Sequence, residues 1–148
     1  MKARRTWIVV ADGARARIAL NTGPGSGVVP AMPYEFAAPH APTRAFVSDR
    51  PGYHSERGTA GHRFEPKHDR HHFEKQVFAR DLAEVIDDAA ADRRFDRLVL
   101  VAPPAALGRL RAALTARARR YIVAEVRKDL THLPLRLLPR YLEPCLAA

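Results

Sequence analysis

Two short apolar runs constrain this fold more than any other feature of the sequence. Thr6–Ala11 is followed by Asp12-Gly13, a strong turn signal, and then by residues 15–20, in which apolar and arginine side chains alternate. This pattern predicts an antiparallel hairpin with its arginines pointing outward. The second run, residues 97–102, is apolar almost throughout and predicts a central strand.

The stretch between these runs is rich in residues that break helices and strands. Residues 21–70 hold 7 of the 12 prolines and 6 of the 8 glycines. They predict an irregular insertion. Within it, residues 28–36 alternate weakly and predict a third strand, which Pro30 and Pro33 would confine to an edge of the sheet.

The remaining chain is periodic. Residues 69–91 predict the clearest helix, whose apolar positions recur at helical spacing. These positions are Phe73, Val77, Phe78, Leu82, Val85, Ile86 and Ala89. Residues 104–117 predict a second helix, residues 121–126 a last strand, and residues 133–142 a short final helix.

The predicted element order is β-β-β-α-β-α-β-α. Its first half is an antiparallel meander and its second half contains a βαβ unit, whose strands are parallel. The pattern therefore predicts one α/β domain over residues 1–148, with a mixed five-stranded sheet and helices packed on it. This order is found in RNase H-like domains and in related translation-factor domains.

Composition narrows the class of protein. The chain has 25 Lys and Arg residues, 21 of them Arg, against 16 Asp and Glu, for a net charge of +9. Such a balance favours anionic partners, although it can equally reflect a GC-rich genome. No apolar run approaches the roughly 20 residues of a transmembrane helix, and the one after the basic N-terminus is too short for a signal peptide. We therefore expect a soluble, cytoplasmic protein that does not insert into membranes.

Much of the positive charge lies in one stretch. Nine basic residues stand between residues 107 and 140, against two acidic ones. Dense arginine can contact a phosphate backbone, and the alternative is a merely solvated surface. The candidate nucleic-acid contacts are Arg109, Arg111, Arg117, Arg119, Arg120 and Arg127. Aromatic residues are scarce here, so base stacking would be weak.

Asp12 invites comparison with nucleases of RNase H-like fold, in which an aspartate on the first strand holds a divalent metal. Glu74 or Glu84 could supply a second carboxylate from the helix. In such nucleases a later strand supplies a further carboxylate. Here that strand ends in Val101-Ala102, where no carboxylate is present. We therefore interpret Asp12 as a turn residue and expect no catalysis.

Three histidines have the spacing of a metal site. His68, His71 and His72 would share a helix face, but Lys67 and Arg70 crowd the same stretch and oppose metal capture. A solvated helix start is the simpler interpretation, and we expect neither metal nor cofactor. The lone Cys145 excludes an internal disulfide.

A polar group follows the last predicted strand. Lys128, Asp129 and Thr131 would lie at the carboxyl end of a strand, where α/β proteins bind ligands. The alternative, which we favour, is structural: Asp129 or Thr131 caps the final helix, and the Lys128 stem covers apolar surface.

Three blocks of the sequence, in order, carry a family resemblance. They are Trp7 to Ile18; Ser48-Asp49-Arg50-Pro51-Gly52 with Phe64-Glu65-Pro66 and Phe78-Ala79-Arg80-Asp81-Leu82-Ala83; and Phe95 to Pro104 with Leu107-Gly108, Leu110-Arg111 and Lys128-Asp129-Leu130-Thr131. Together they resemble the bacterial host attachment family, the "protein required for attachment to host cells". The resemblance implies a fold related to the middle domain of archaeo-eukaryotic peptide release factors. The chain departs from the family pattern in residues 28–43.

The resemblance does not imply release-factor catalysis here. That reaction needs a Gly-Gly-Gln tripeptide, and this chain has no Gly-Gly pair; its one glutamine, Gln76, lies in a predicted helix. Our hypothesis is a non-catalytic cytoplasmic protein that affects attachment indirectly, through a binding partner. The alternative is an RNA- or ribosome-binding module that uses the Arg-rich second half.

Overall fold

The computed structural model describes residues 4–39 and 67–146, with the side chains of residues 67 and 68 left aside. In chain order the elements are β1 Thr6–Ala11, β2 Arg15–Asn21, β3 Val29–Pro30, β4 Phe36–Ala37, α1 Lys67–Ala91, β5 Arg97–Val101, α2 Pro104–Ala113, α3 Ala116–Arg119, β6 Ile122–Val126, a 3-10 turn Leu135–Leu137, and α4 Leu138–Leu146. Residues 40–66 of the predicted insertion lie outside the described residues.

The strands form one mixed sheet, in the order β3-β2-β1-β5-β6, with β4 also paired to β2. Strand β1 runs antiparallel to β2 and parallel to β5, and β5 runs parallel to β6. The predicted α/β fold is therefore confirmed. The sheet has six strands rather than five, because the predicted third strand is two separate two-residue strands. Pro30 and Pro33 offer no N–H to a continuous ladder, which accounts for the interruption.

The larger part of the core lies on one face of the sheet. Trp7, Val9, Leu98 and Leu100 point to this face and are buried against α1, α2 and α3. The long helix α1 supplies Phe78, Leu82 and Ile86, as its spacing predicts, and α2 supplies Leu107 and Leu110; all five are buried. We call the three helices the helical layer.

The opposite face of the sheet is also covered. Ile8, Val10, Val99 and Val101 are fully buried against the last part of the chain. That part supplies Leu130 and, from α4, Leu138, Leu142 and Leu146. Cover on both faces explains why β1 and β5 are apolar without alternation. We call residues 130–146 the C-terminal layer.

The C-terminal layer changes the predicted environment of Arg17. The hairpin pattern directs Arg17 outward, but its guanidinium lies under this layer and donates hydrogen bonds to the backbone oxygens of Leu130 and Leu133. Partial burial lowers the pKa of Arg17, and the charge of Glu35 opposes that shift. The group stays protonated at physiological pH. The Arg17 side chain thus joins β2 to the C-terminal layer through hydrogen bonds.

Helix α1 is longer than the core that it covers. Phe73, predicted to face the core, is 63% exposed, and the buried residues of the helix begin at Phe78. The first turns of α1 extend beyond the sheet, so an apolar position there has nothing beneath it in the described structure. Helical spacing alone does not reveal where a supporting sheet ends.

The predicted helix over residues 104–117 is divided. Helix α2 ends at Ala113, Leu114 is extended, and Thr115 caps the four-residue helix α3 by accepting a hydrogen bond from the Ala118 N–H. Asp87 of α1 accepts hydrogen bonds from the Thr115 N–H and hydroxyl, at 3.1 and 2.8 Å. A competing N-cap, fixed by a carboxylate from another helix, thus starts a new helix at this point.

The last predicted helix lies a few residues later than expected. It begins as the 3-10 turn after Pro134 and continues as α4 to Leu146, with Pro144 inside it. Among the helices that the structure describes, none is long and apolar enough to cross a lipid bilayer.

Candidate functional site

The carboxyl ends of three parallel strands meet at one edge of the sheet. β1 leads into Asp12 and Gly13, β5 into Pro103, and β6 into Arg127 and Lys128. Open α/β sheets commonly bind ligands along this edge, where loops diverge. The polar residues predicted after β1 and after β6 therefore share an edge, but β5 lies between their strands.

Asp12 holds the hairpin turn. Its Oδ1 accepts hydrogen bonds from the N–H groups of Ala14 and Arg15, both at 2.8 Å, and its own N–H donates to the Arg15 oxygen at 2.9 Å. One carboxylate oxygen is therefore used within the turn itself, which is the geometry that a turn aspartate has.

Gly13 makes room for a lysine. An ideal Cβ on Gly13 would lie 3.2 Å from Cε and 3.3 Å from Cδ of Lys75, tighter than most real contacts. The glycines with a left-handed φ in the described chain are Gly23, Gly25 and Gly27, so Gly13 is not required by its own dihedral angle. Its role is to let the Lys75 stem cross the turn.

Sequence reasoning missed Lys75 as a site residue. It is exposed, but it lies three residues before Phe78 and seven before Leu82, in line with the stripe of α1 that packs on the sheet. That spacing is the signal by which it could have been found. Because α1 extends past the sheet, this position of the stripe reaches the β1–β2 turn and not the core.

A small cleft lies between the β1–β2 turn and helices α1 and α2. Asp12, Gly13, Lys75 and Phe78 line it together with Arg109 of α2. Its volume is about 10 Å³, room for about one water molecule. The cleft therefore fits the tip of a ligand rather than a whole metabolite. We call it the turn cleft.

The candidate arginines of the helical layer fall into two groups. Arg111 forms an ion pair with Glu125, with 3.4 Å between Nε and Oε2, and Arg119 donates to the Arg111 and Leu114 oxygens at the end of α2. The side chains of Arg117 and Arg120, by contrast, are exposed and make no hydrogen bond or ion pair with any described residue. Arg117 lies in α3 and Arg120 is its C-cap, three residues later, so the two side chains are neighbours on the helix surface.

The basic stretch does not form one continuous surface in the fold. Arg109 lines the turn cleft, and Arg127 is exposed at the end of β6. Arg136 and Arg140 belong to the C-terminal layer, on the opposite side of the sheet. The single cluster predicted from sequence is thus divided between both sides of the molecule.

The Lys128-Asp129-Leu130-Thr131 segment forms a local turn. Asp129 Oδ1 accepts hydrogen bonds from the Thr131 N–H at 3.0 Å and from its hydroxyl at 2.6 Å. The prediction that Asp129 or Thr131 caps the final helix is wrong, because the 3-10 turn begins only at Leu135. Lys128 is exposed beside this turn.

The histidines do not gather into a metal site in the described structure. His71 and His72 are exposed on α1, and the His68 side chain lies outside the described residues. Within residues 4–39 and 69–146, no group of three His, Cys, Asp or Glu side chains is placed to hold a metal ion. Asp12 therefore has no described carboxylate partners of the kind that a nuclease site needs.

Comparison with known proteins identifies the family but not the chemistry. The family model "protein required for attachment to host cells" matches residues 7–142, from the second residue of β1 into α4. A search of curated proteins gives no match. The matched region includes the helical layer, most of the C-terminal layer and the carboxyl edge of the sheet. The chain therefore belongs to the host attachment family.

Proposed function

We propose that this protein acts in attachment to host cells as a cytoplasmic binding protein without catalytic activity, and that its effect on attachment is indirect. The family match supplies the process. The absence of catalysis is supported by the two aspartates described at the carboxyl edge of the sheet, because Asp12 and Asp129 both accept hydrogen bonds that close their own turns.

One observation carries the proposal: a pair of exposed arginines, one in α3 and one at its C-cap, on a helix that the fold holds firmly. The side chains of Arg117 and Arg120 have no partner in the described structure. Their helix, α3, is fixed by the Asp87–Thr115 hydrogen bonds and by Ala118, which is fully buried. Rigid presentation lowers the entropy lost on binding, so this pair suits recognition of an anionic surface on a partner.

The test is complementation of attachment in cells that lack the gene. The parent protein, the Arg117→Gln/Arg120→Gln variant and a control, Arg136→Gln/Arg140→Gln, are expressed at equal levels. The control removes the same charge from exposed residues of the C-terminal layer. We expect parent and control to restore attachment and the α3 variant to fail. Full restoration by the α3 variant would contradict the proposal.

A second candidate function is RNA or ribosome binding, favoured by the guanidinium chemistry of the same pair. Arginine makes planar, bidentate contacts with phosphate oxygens. If Arg117 and Arg120 contact an RNA backbone, the slope of log affinity against log salt falls by about one for each residue replaced. Fluorescence anisotropy at several salt concentrations measures it. An α3 variant that binds RNA with the affinity and slope of the parent excludes this candidate.

A further inference from the structure

We propose that the turn cleft is a binding site for a terminal phosphate group, with Lys75 and Arg109 as its anion contacts. The proposal goes beyond the α3 surface, because it concerns a different part of the molecule and a small ligand. It is carried by three observations: a lysine whose stem packs on a turn, a second cationic residue lining the same cleft, and an apolar wall behind them.

The stem of Lys75 packs against the β1–β2 turn, although the residue as a whole is exposed. Its stem lies across Gly13, so close that a Cβ there would meet Cε, Cδ and Cγ at 3.2 to 3.4 Å. A lysine stem normally samples many rotamers, and fixing it costs up to about 2 kcal/mol of side-chain entropy. Here part of that cost is met by packing in the folded protein.

Arg109 brings a second positive charge into the same cleft. It is half-buried on α2, and neither it nor Lys75 forms a hydrogen bond or ion pair with a described residue. Both cationic residues therefore line one cleft beside the apolar surface of Phe78 and Leu82. An anion bound there accepts charge-assisted hydrogen bonds from both.

Asp12 reduces the positive charge of the cleft but does not cancel it. It is the one carboxylate among the described lining residues, against two cations. Its Oδ1 is already engaged by two N–H groups of the turn. No ion pair joins it to Lys75 or Arg109 in the described structure. The lining therefore keeps one net positive charge.

The dimensions of the cleft define the class of ligand. A volume of about 10 Å³ has room for about one water-sized group, so one phosphate oxygen enters and the others stay at the open mouth. The site thus fits inorganic phosphate or the terminal phosphate of a monoester whose organic part stays outside. These two sources share the same contacts with Lys75 and Arg109.

The test is an NMR titration of the whole chain with inorganic phosphate and, separately, with adenosine monophosphate. We expect saturable shifts centred on Gly13, Lys75 and Arg109, and at least about tenfold weaker binding in Lys75→Gln and in Arg109→Gln. Arg140→Gln, which removes a charge from an exposed residue of the C-terminal layer outside the cleft, should bind like the parent. Tighter binding of the monoester identifies an esterified ligand, and equal binding identifies phosphate itself; both support the site.

The Gly13→Ala variant tests whether the position of the Lys75 stem matters when all charges are kept. The new methyl group would displace the Lys75 stem by a few tenths of an ångström without changing any charge, so phosphate binding should weaken while the thermal unfolding curve stays near that of the parent. The proposal is overturned if shifts are spread evenly over all basic residues, or if Lys75→Gln and Arg109→Gln bind phosphate like the parent. Either result leaves the α3 proposal intact, since the attachment assay tests that surface separately.

Discussion

The two faces of the sheet are closed in different ways. On the helical layer's side, large side chains such as Phe78 and Leu82 fill the space and the closure is apolar. On the other side, arginines of the strands donate hydrogen bonds to backbone oxygens of the C-terminal layer. Arg17 donates to Leu130 and Leu133, and Arg97 donates to Cys145 at 2.9 Å. Arginines of the strands therefore bind the covering backbone on the C-terminal side. On the helical side, Arg111 and Arg119 make contacts near the surface, and the Arg117 and Arg120 side chains bind no described residue.

The largest effect should come from the apolar core itself, and it should be equal on the two faces. Leu100→Ala, facing the helical layer, and Leu142→Ala, in the C-terminal layer, each remove a fully buried side chain. Each should lower the free energy of unfolding by about 2–5 kcal/mol, measured by urea denaturation. A loss below about 1 kcal/mol for Leu142→Ala would show that the C-terminal layer is an accessory and break the comparison.

Asp12 should matter for stability and not for catalysis. Asp12→Ala removes the acceptor of two turn hydrogen bonds and should cost about 1–2 kcal/mol. Asp12→Asn keeps one acceptor oxygen and should cost less. With added Mg²⁺ or Mn²⁺ we expect no cleavage of RNA or DNA by the parent. Metal-dependent cleavage that disappears in Asp12→Asn would instead establish a nuclease.

Thr115 tests how firmly α3 is held. Thr115→Ala removes the N-cap and one of the two hydrogen bonds to Asp87, and should cost about 1 kcal/mol. Amide exchange should rise in residues 116–120 ahead of the rest of the helical layer. Thr115→Ser keeps the hydroxyl and serves as the control. If exchange rises equally throughout, α3 is not a separately anchored element.

The smallest expected effect is an increase in the free energy of unfolding. Arg93 ends α1 with a left-handed φ of 56°, and the N–H groups of Arg93 and Arg94 donate to the oxygens of Ala90 and Ala89. This is the helix end that glycine favours. Arg93→Gly should therefore raise the free energy of unfolding by about 0.5–1 kcal/mol. The backbone oxygen of residue 93 that Arg5 binds is retained. A loss of stability would mean that the Arg93 side chain has an undetected role.

The strands and the long helix could be predicted because their patterns are local. β1, β2, β5, β6 and α1 each carry a period of their own or a continuous apolar run. The division between α2 and α3 could not be predicted, because the apolar spacing continues unbroken through Leu110, Leu114 and Ala118. The cause of the break is Asp87, which lies in another helix.

The site residues are harder to predict than the strands and helices, because their arrangement depends on contacts between distant parts of the chain. Sequence identifies the arginines 109–140 as one cluster, but the C-terminal layer packs on the opposite face and carries Arg136 and Arg140 with it. The position of Lys75 over Gly13 joins residues 62 positions apart. Neither can be derived from spacing within one element, although the stripe shared with Phe78 directs Lys75 toward the sheet.

The most direct test of the difference between the two faces is a paired measurement of unfolding free energy. Arg17→Met removes the hydrogen bonds to the C-terminal layer and should cost about 1–3 kcal/mol. Arg117→Gln/Arg120→Gln should change the value by less than about 0.5 kcal/mol, because these side chains hold nothing in the described structure. Equal losses in the two variants would contradict the division between arginines that hold the fold and arginines available to a partner.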